Sequence, residues 1–181
     1  MVIQTHLETG SKLPEFNLPA TDGKNYSPDS FGSAKVLVVM FTCNHCPYVQ
    51  AYEERLVKLQ ADFKLKAVSF VAINSNDEKN YPLDSFENMV ARAREKGYNF
   101  PYLRDKTQSV VKVFGASYTP EVFVFDQSRI LQYHGRIDDN CKEPSKVTKQ
   151  DLKEAIEAIL SGKSVSTTNT QAIGCSVKWI S

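Results

Sequence analysis

Seven apolar or nearly apolar residues, Val36 to Thr42, run directly into Cys43-Asn44-His45-Cys46-Pro47, and an apolar series follows at Val49, Tyr52, Leu56, Leu59 and Phe63. A run so rich in β-branched residues predicts a buried strand. The spacing of three and four after it predicts one face of a helix. The Cys-x-x-Cys therefore falls where strand gives way to helix. At a helix N-terminus the free backbone N–H groups and the positive end of the macrodipole stabilise a thiolate. This arrangement suits thiol–disulfide chemistry.

Composition narrows the function classes. A chain of 181 residues suits one domain with a full hydrophobic core, so residues 1–181 are read as a single unit with a tail over 162–181. The 22 basic and 21 acidic residues nearly cancel, which argues against a nucleic-acid or anionic-membrane partner. No apolar run approaches the roughly 20 residues needed to span a bilayer. The first residues, Met1 to Glu8, carry neither a basic region nor an apolar core, so no secretory signal is expected and the cytoplasm is the expected compartment. Four cysteines are too few for a disulfide scaffold in a chain this long. No cofactor is called for.

Strand and helix patterns alternate along the rest of the chain. Residues 11–31, with Pro14, Pro19, Asp22-Gly23 and Pro28, predict an irregular N-terminal hairpin. Val68 to Ile73 is a second core strand, followed by a polar loop from Asn74 to Tyr81. Asp84 with Glu87 three residues on marks a helix start, and Gly97 its stop. Phe100 to Leu103 is a short extended piece, and Thr107 to Phe114 a short helix closed by Gly115. Glu121–Asp126 and Arg129–His134 flank Gln127-Ser128 as a hairpin. Thr148 opens a last helix whose buried side carries Leu152, Ile156, Ile159 and Leu160. The order predicts an α/β fold, a mixed sheet with helices on both faces.

This order around a Cys-x-x-Cys resembles the thioredoxin fold. Phe-Thr-Cys-Asn-His-Cys-Pro-Tyr-Val (41–49), Val-Ala-Ile-Asn-Ser-Asn-Asp (71–77), Thr-Pro-Glu-Val-Phe-Val-Phe-Asp (119–126), Gly-Arg-Ile-Asp-Asp-Asn (135–140) and Gly-Cys-Ser-Val-Lys-Trp (174–179) together resemble the peroxiredoxin-like redoxins. These are relatives of the alkyl hydroperoxide reductase and thiol-specific antioxidant family. The resemblance covers residues 10–179 and implies a central sheet flanked by helices, with an oxidoreductase or antioxidant function. It also implies a cis Thr119–Pro120 bond facing the cysteines. A cis bond would turn the Thr119 backbone toward the sulfurs, where it could pair with an extended substrate peptide.

With the helix starting at Asn44, Cys43 would sit at its cap and Cys46 in its first turn, where Pro47 is tolerated. Cys43, the more exposed thiolate, would attack a protein or small-molecule disulfide. Cys46 would resolve the mixed disulfide, and an unidentified thiol would re-reduce the pair. His45 would add a positive charge or a donor beside the sulfurs. By analogy with the oxidising periplasmic family that has Cys-Pro-His-Cys, it should stabilise the reduced thiolate. Asn44, Thr119 and Arg136 are the candidate substrate contacts. The return strand should bring Gly135 to Asn140 near the rim of the site with Cys141 just beyond, and Arg136 could pair with Asp138 or Asp139 there.

Two features of thioredoxins are missing. The strand before the cysteines carries no buried acid, and the nearest carboxylates after Cys46 are Glu53 and Glu54. The group that would take the proton of the resolving thiol is not identified from these residues, and Glu121, next to Pro120, is a candidate. His6 and His134 read as ordinary residues. Cys175 reads as a small buried anchor of the tail with Trp179 as an apolar plug, the alternative being a resolving thiol. A peroxidase would use Cys46 as its peroxidatic thiol, but Cys43 and Pro120 replace the Thr and Arg that activate a peroxide. A copper- or zinc-binding module would draw on Cys43, Cys46, His45 and a distant His134 or Cys141.

Overall fold

The computed structural model describes residues 7–181, so His6 lies outside the described residues. Two short strands, β1 (Leu18–Pro19) and β2 (Asn25–Tyr26), pair antiparallel as the expected N-terminal hairpin. Then follow β3 (Val36–Thr42), α1 (Pro47–Phe63), β4 (Val68–Asn74), α2 (Phe86–Glu95), β5 (Tyr102–Arg104) and α3 (Ser109–Phe114). The chain closes with β6 (Tyr118–Thr119), β7 (Glu121–Phe125), β8 (Leu131–Gly135), α4 (Asp151–Leu160) and β9 (Cys175–Ser176).

Five strands form the central sheet in the order β5-β4-β3-β7-β8. The first three are parallel, and β7 and β8 run antiparallel to their neighbours. This is the mixed α/β sheet that the element order predicts. The central position of β3 explains its unbroken apolar run, because both of its faces are covered and all seven residues are buried. Leu37, Val39 and Phe41 meet Val110, Val111 and Phe114 of α3 on one face. Val36, Val38 and Met40 meet Tyr52 and Leu56 of α1 and Leu152 and Ile156 of α4 on the other. Phe41 stands edge-on to Phe114 and Phe123, with centroids 5.2 and 5.8 Å apart. Each such pair contributes about 0.5–1.5 kcal/mol beyond area burial. Among the described residues, no helix is long and apolar enough to cross a membrane.

Three helix starts differ from expectation. Helix α1 begins at Pro47, three residues later than predicted. Ser85 caps α2, its hydroxyl accepting from the Asn88 N–H, while Asp84 ends a preceding 3-10 turn and is buried. Helix α4 begins at Asp151, because Asp139 accepts from both the N–H and the hydroxyl of Thr148.

Candidate active site

Pro47 sets the geometry of the two cysteines. Its ring excludes the preceding residue from the helical region, and its fixed φ suits the first helical position. Cys46 is accordingly extended, at φ −74° and ψ 123°, and becomes the N-cap of α1. This corrects the expectation that Cys43 caps the helix and Cys46 lies inside it. Cys43 occupies the loop between β3 and α1. It is not the more exposed thiol, since both cysteines are 0% exposed.

The Thr119–Pro120 peptide bond is cis, as the resemblance implies. It brings both atoms of interest in Thr119 to the sulfurs. The hydroxyl lies 3.4 Å from Cys43 Sγ, and the carbonyl oxygen 3.2 Å from Cys46 Sγ, accepting from it when it is a thiol. The two thiols titrate in opposite directions. A hydrogen bond from Cys43 lowers the Cys46 pKa against the desolvation that would raise it, and the Cys175 thiol adds to the lowering. The Cys46 sulfur closes no capping hydrogen bond of its own, yet the Val49 N–H still favours its anion. The same shared proton raises Cys43, with burial and the Asp84 carboxylate pushing the same way.

Asp84 is the buried acid that the sequence reading found missing. It comes not from the strand before the cysteines but from the loop after β4, and it is 0% exposed. Its carboxylate accepts from the Asn44 N–H at 2.6 Å and the Asn76 side chain at 2.8 Å, and lies 2.5 Å from His45 Nδ1. His45 also stacks on Tyr81, with centroids 5.6 Å apart. The ring is therefore held by Asp84 and Tyr81 rather than left mobile beside the sulfurs. Asn44 is a scaffold residue, which corrects its reading as a substrate contact. Its side chain donates to the Leu83 carbonyl and accepts from the Tyr102 hydroxyl. The stretch Asn74 to Asp77, at the start of the expected polar loop, is buried beside the site.

Arg136 does not reach the sulfurs. Its Nε donates to Asp151 Oδ2 at 2.7 Å, in the first turn of α4, so the expected pairing with Asp138 or Asp139 is replaced. Asp138 instead accepts from Tyr52 and Arg55, two and three turns along α1. Cys141 packs on that same side of the sheet. After Gly135 the chain turns onto α1 and α4, which the hairpin pattern alone did not reveal. Glu121 is also engaged. It accepts from the Ser117 and Tyr118 N–H groups and pairs with His134 Nε2 at 2.5 Å. His134, read as an ordinary residue, is a buried hydrogen-bond partner of an acid and stacks on Phe123.

Cys175 arrives from the far end of the chain. Strand β9 pairs antiparallel with β6, Thr119 opposite Cys175, and Cys175 Sγ lies 2.8 Å from Cys46 Sγ. The expected Trp179 plug is overturned, while Cys175 is half-buried against Cys43, Cys46 and Val49. Trp179 is 37% exposed, and Val177 is the buried residue. A Cβ at Gly174 would fall 2.2 Å from the Thr119 carbonyl oxygen, so only glycine permits this approach. A glycine directly before the cysteine was the one signal in the sequence.

A Cys43 sulfur, a His45 nitrogen and an Asp84 oxygen lie within 4.8 Å of one another, a donor set of thiolate, imidazole and carboxylate that could hold a metal ion. The distant ligands considered from sequence do not join it: His134 faces Glu121, and Cys141 lies beside α1.

A Cys-x-x-Cys between a central strand and a helix, facing a cis-proline, defines a thioredoxin-like redox protein. The chain belongs to the Redoxin family, which residues 8–155 match, and is a redoxin of the thioredoxin superfamily. It is similar to a hypothetical protein from Sinorhizobium meliloti 1021 at 38% identity and a TM-score of 0.92, covering 98% of this chain and 97% of that one. An uncharacterized conserved protein from Geobacillus kaustophilus is 42% identical with a TM-score of 0.91, covering 96% and 93%. The thioredoxin domain of a thiol-disulfide oxidoreductase from Bacteroides vulgatus shares the fold at 16% identity and a TM-score of 0.65, covering 85% and 99%. Comparison with curated proteins finds no match.

Proposed function

We propose that this redoxin is a thiol–disulfide oxidoreductase in which Cys46 attacks and Cys43 is the second thiol. The observation that carries the reading is the placement of Cys46: it is the N-cap residue of α1, and its thiol has a lowered pKa and abuts the Thr119 carbonyl beside a strand edge. The Cys46 thiolate attacks a sulfur of the substrate disulfide, forming a mixed disulfide and releasing one substrate thiolate. Cys43 then attacks Cys46 Sγ, the mixed disulfide breaks, and the second substrate thiolate leaves. For that step Cys43 must lose a proton from a raised pKa. The His45–Asp84 pair, within 4.8 Å, is the group best placed to take it. The roles are reversed relative to those expected from the sequence, because Pro47 gives the cap to the second cysteine. The substrates are protein or small-molecule disulfides, and a separate thiol closes the cycle.

A peroxidase would also use a Cys46 thiolate. Among the described residues, however, the side chains that hydrogen-bond to Cys46 Sγ are those of Cys43 and Cys175, neither of them a cation that could stabilise the departing oxygen of a peroxide. Disulfide exchange, whose leaving group is a thiolate, does not need one.

Insulin reduction by single variants tests the assignment. Cys46→Ser should abolish it, and Cys43→Ser should accumulate mixed disulfides. The ultraviolet absorbance of a thiolate should persist well below the ordinary thiol pKa of about 8.5 and disappear in Cys46→Ser. Trapping by Cys46→Ser instead would return the attacking role to Cys43. Rapid stoichiometric consumption of hydrogen peroxide by Cys43→Ser would make the protein a peroxidase.

A further inference from the structure

The Cys46 sulfur faces a strand edge that a substrate peptide would be expected to use, and that edge is occupied by the chain itself. Residues Cys175 and Ser176 run antiparallel to Thr119 and Tyr118, and the Val177 N–H donates to the Ser117 carbonyl at 2.9 Å. The segment is held on both sides of the site. Before it, the Thr170 N–H donates to the His134 carbonyl. After it, the Lys178 N–H donates to Asn76 and the Lys178 carbonyl accepts from Asp77 N–H and Gln108. Cys175 is half-buried against Cys43, Cys46 and Val49, whereas Val177, just past the strand, is the residue buried in the main core. The Cys175 sulfur sits 2.8 Å from Cys46 Sγ.

We infer that Cys175 is a third redox-active cysteine, presented to Cys46 by a built-in substrate strand, and that the protein interconverts a Cys43–Cys46 and a Cys46–Cys175 disulfide. The first of these disulfides rests on the function proposed above. In the exchange, the Cys175 thiolate attacks Cys46 Sγ. The Cys43–Cys46 bond breaks as the Cys46–Cys175 bond forms, and Cys43 leaves as a thiolate that takes up the proton Cys175 released. One disulfide and one thiol become a different disulfide and a different thiol, so no external oxidant enters the step. The consequence is a second resting place for the disulfide, on a half-exposed cysteine from which an outside thiol can remove it. The strand also indicates the substrate that fits: an extended peptide with glycine before its cysteine, since a side chain there would strike Thr119.

The test uses the full chain with Cys141→Ser throughout and Ellman's disulfide as the probe. The Cys43→Ser protein should take the probe's thiol onto Cys46 and then expel it through Cys175. Intact mass should show no adduct, and peptide mapping should show a 46–175 crosslink. With Cys175→Ser added, the adduct should remain on Cys46. A lasting adduct on Cys46 while Cys175 is present would overturn the inference, as would separate adducts on both residues. If the Cys43→Ser protein does not fold, the Cys141→Ser protein is equilibrated in glutathione buffers and quenched with acid. Both disulfides should then be found, and absence of the 46–175 species would again overturn it. Failure of insulin reduction by the unaltered protein would sink only the proposed oxidoreductase function, because crosslinking in the Cys43→Ser protein does not depend on it.

Discussion

Asp84 joins the stability of the site to its chemistry. Four groups from two segments of the chain converge on a carboxylate that water does not reach: the Asn44 N–H and His45 from one, and the Asn74 and Asn76 amides from the other. A buried donor left without an acceptor costs about 1–3 kcal/mol. Asp84→Ala should therefore destabilise the protein by roughly 3 kcal/mol or more in denaturant unfolding. The charge has a separate effect. Because the carboxylate helps raise the Cys43 pKa, Asp84→Asn should lower it. Thiolate absorbance followed against pH in a Cys46→Ser background measures this, and an unmoved titration would show that Asp84 does not act on Cys43. In the sequence, Asp84 reads only as a helix-start residue, because nothing local reveals that the loop after β4 folds under the cysteines.

At the scale of elements, β3, β4 and the β7–β8 hairpin are legible because their residues satisfy the sheet pattern without help from distant chain. The start of α1 was legible in principle too. Pro47 bars Cys46 from the helix, and weighing that restriction more heavily would have placed the cap correctly. The crossing of the tail over the end of β8 was not legible. At Gly135, φ is +144°, and a Cβ would fall 2.2 Å from the Thr170 hydroxyl oxygen and 2.3 Å from its carbonyl oxygen. Gly135→Ala should cost about 2 kcal/mol or more, read as a lower denaturant midpoint, because both backbone strain and the clash must be relieved.

For the whole molecule, the tail decides access. Cys43 and Cys46 have no exposed surface while β9 is in place, so an outside reagent reaches Cys46 only when the tail lifts. Gly174→Ala drives a methyl group against the Thr119 carbonyl and should favour the lifted state. Alkylation of Cys46 by iodoacetamide should then accelerate about tenfold, equivalent to a shift of about 1.4 kcal/mol. An unchanged rate would mean that the tail does not govern access.

The sequence by itself determined the class of fold, the position of the Cys-x-x-Cys between strand and helix, and the cis-proline opposite it. The first two follow from periodicity and from residue types whose conformational limits act over a few positions, and the cis-proline from the resemblance of Thr119-Pro120 and its neighbours to the redoxins. Only the tertiary structure decided which thiol caps the helix in company with which donors, that Asp84 is the buried acid, that Arg136 serves α4, and that Cys175 reaches Cys46. These are meetings between segments tens of residues apart. A burial pattern shows that a residue will be covered, but what covers it is settled only when the sheet brings β6 and β9 side by side.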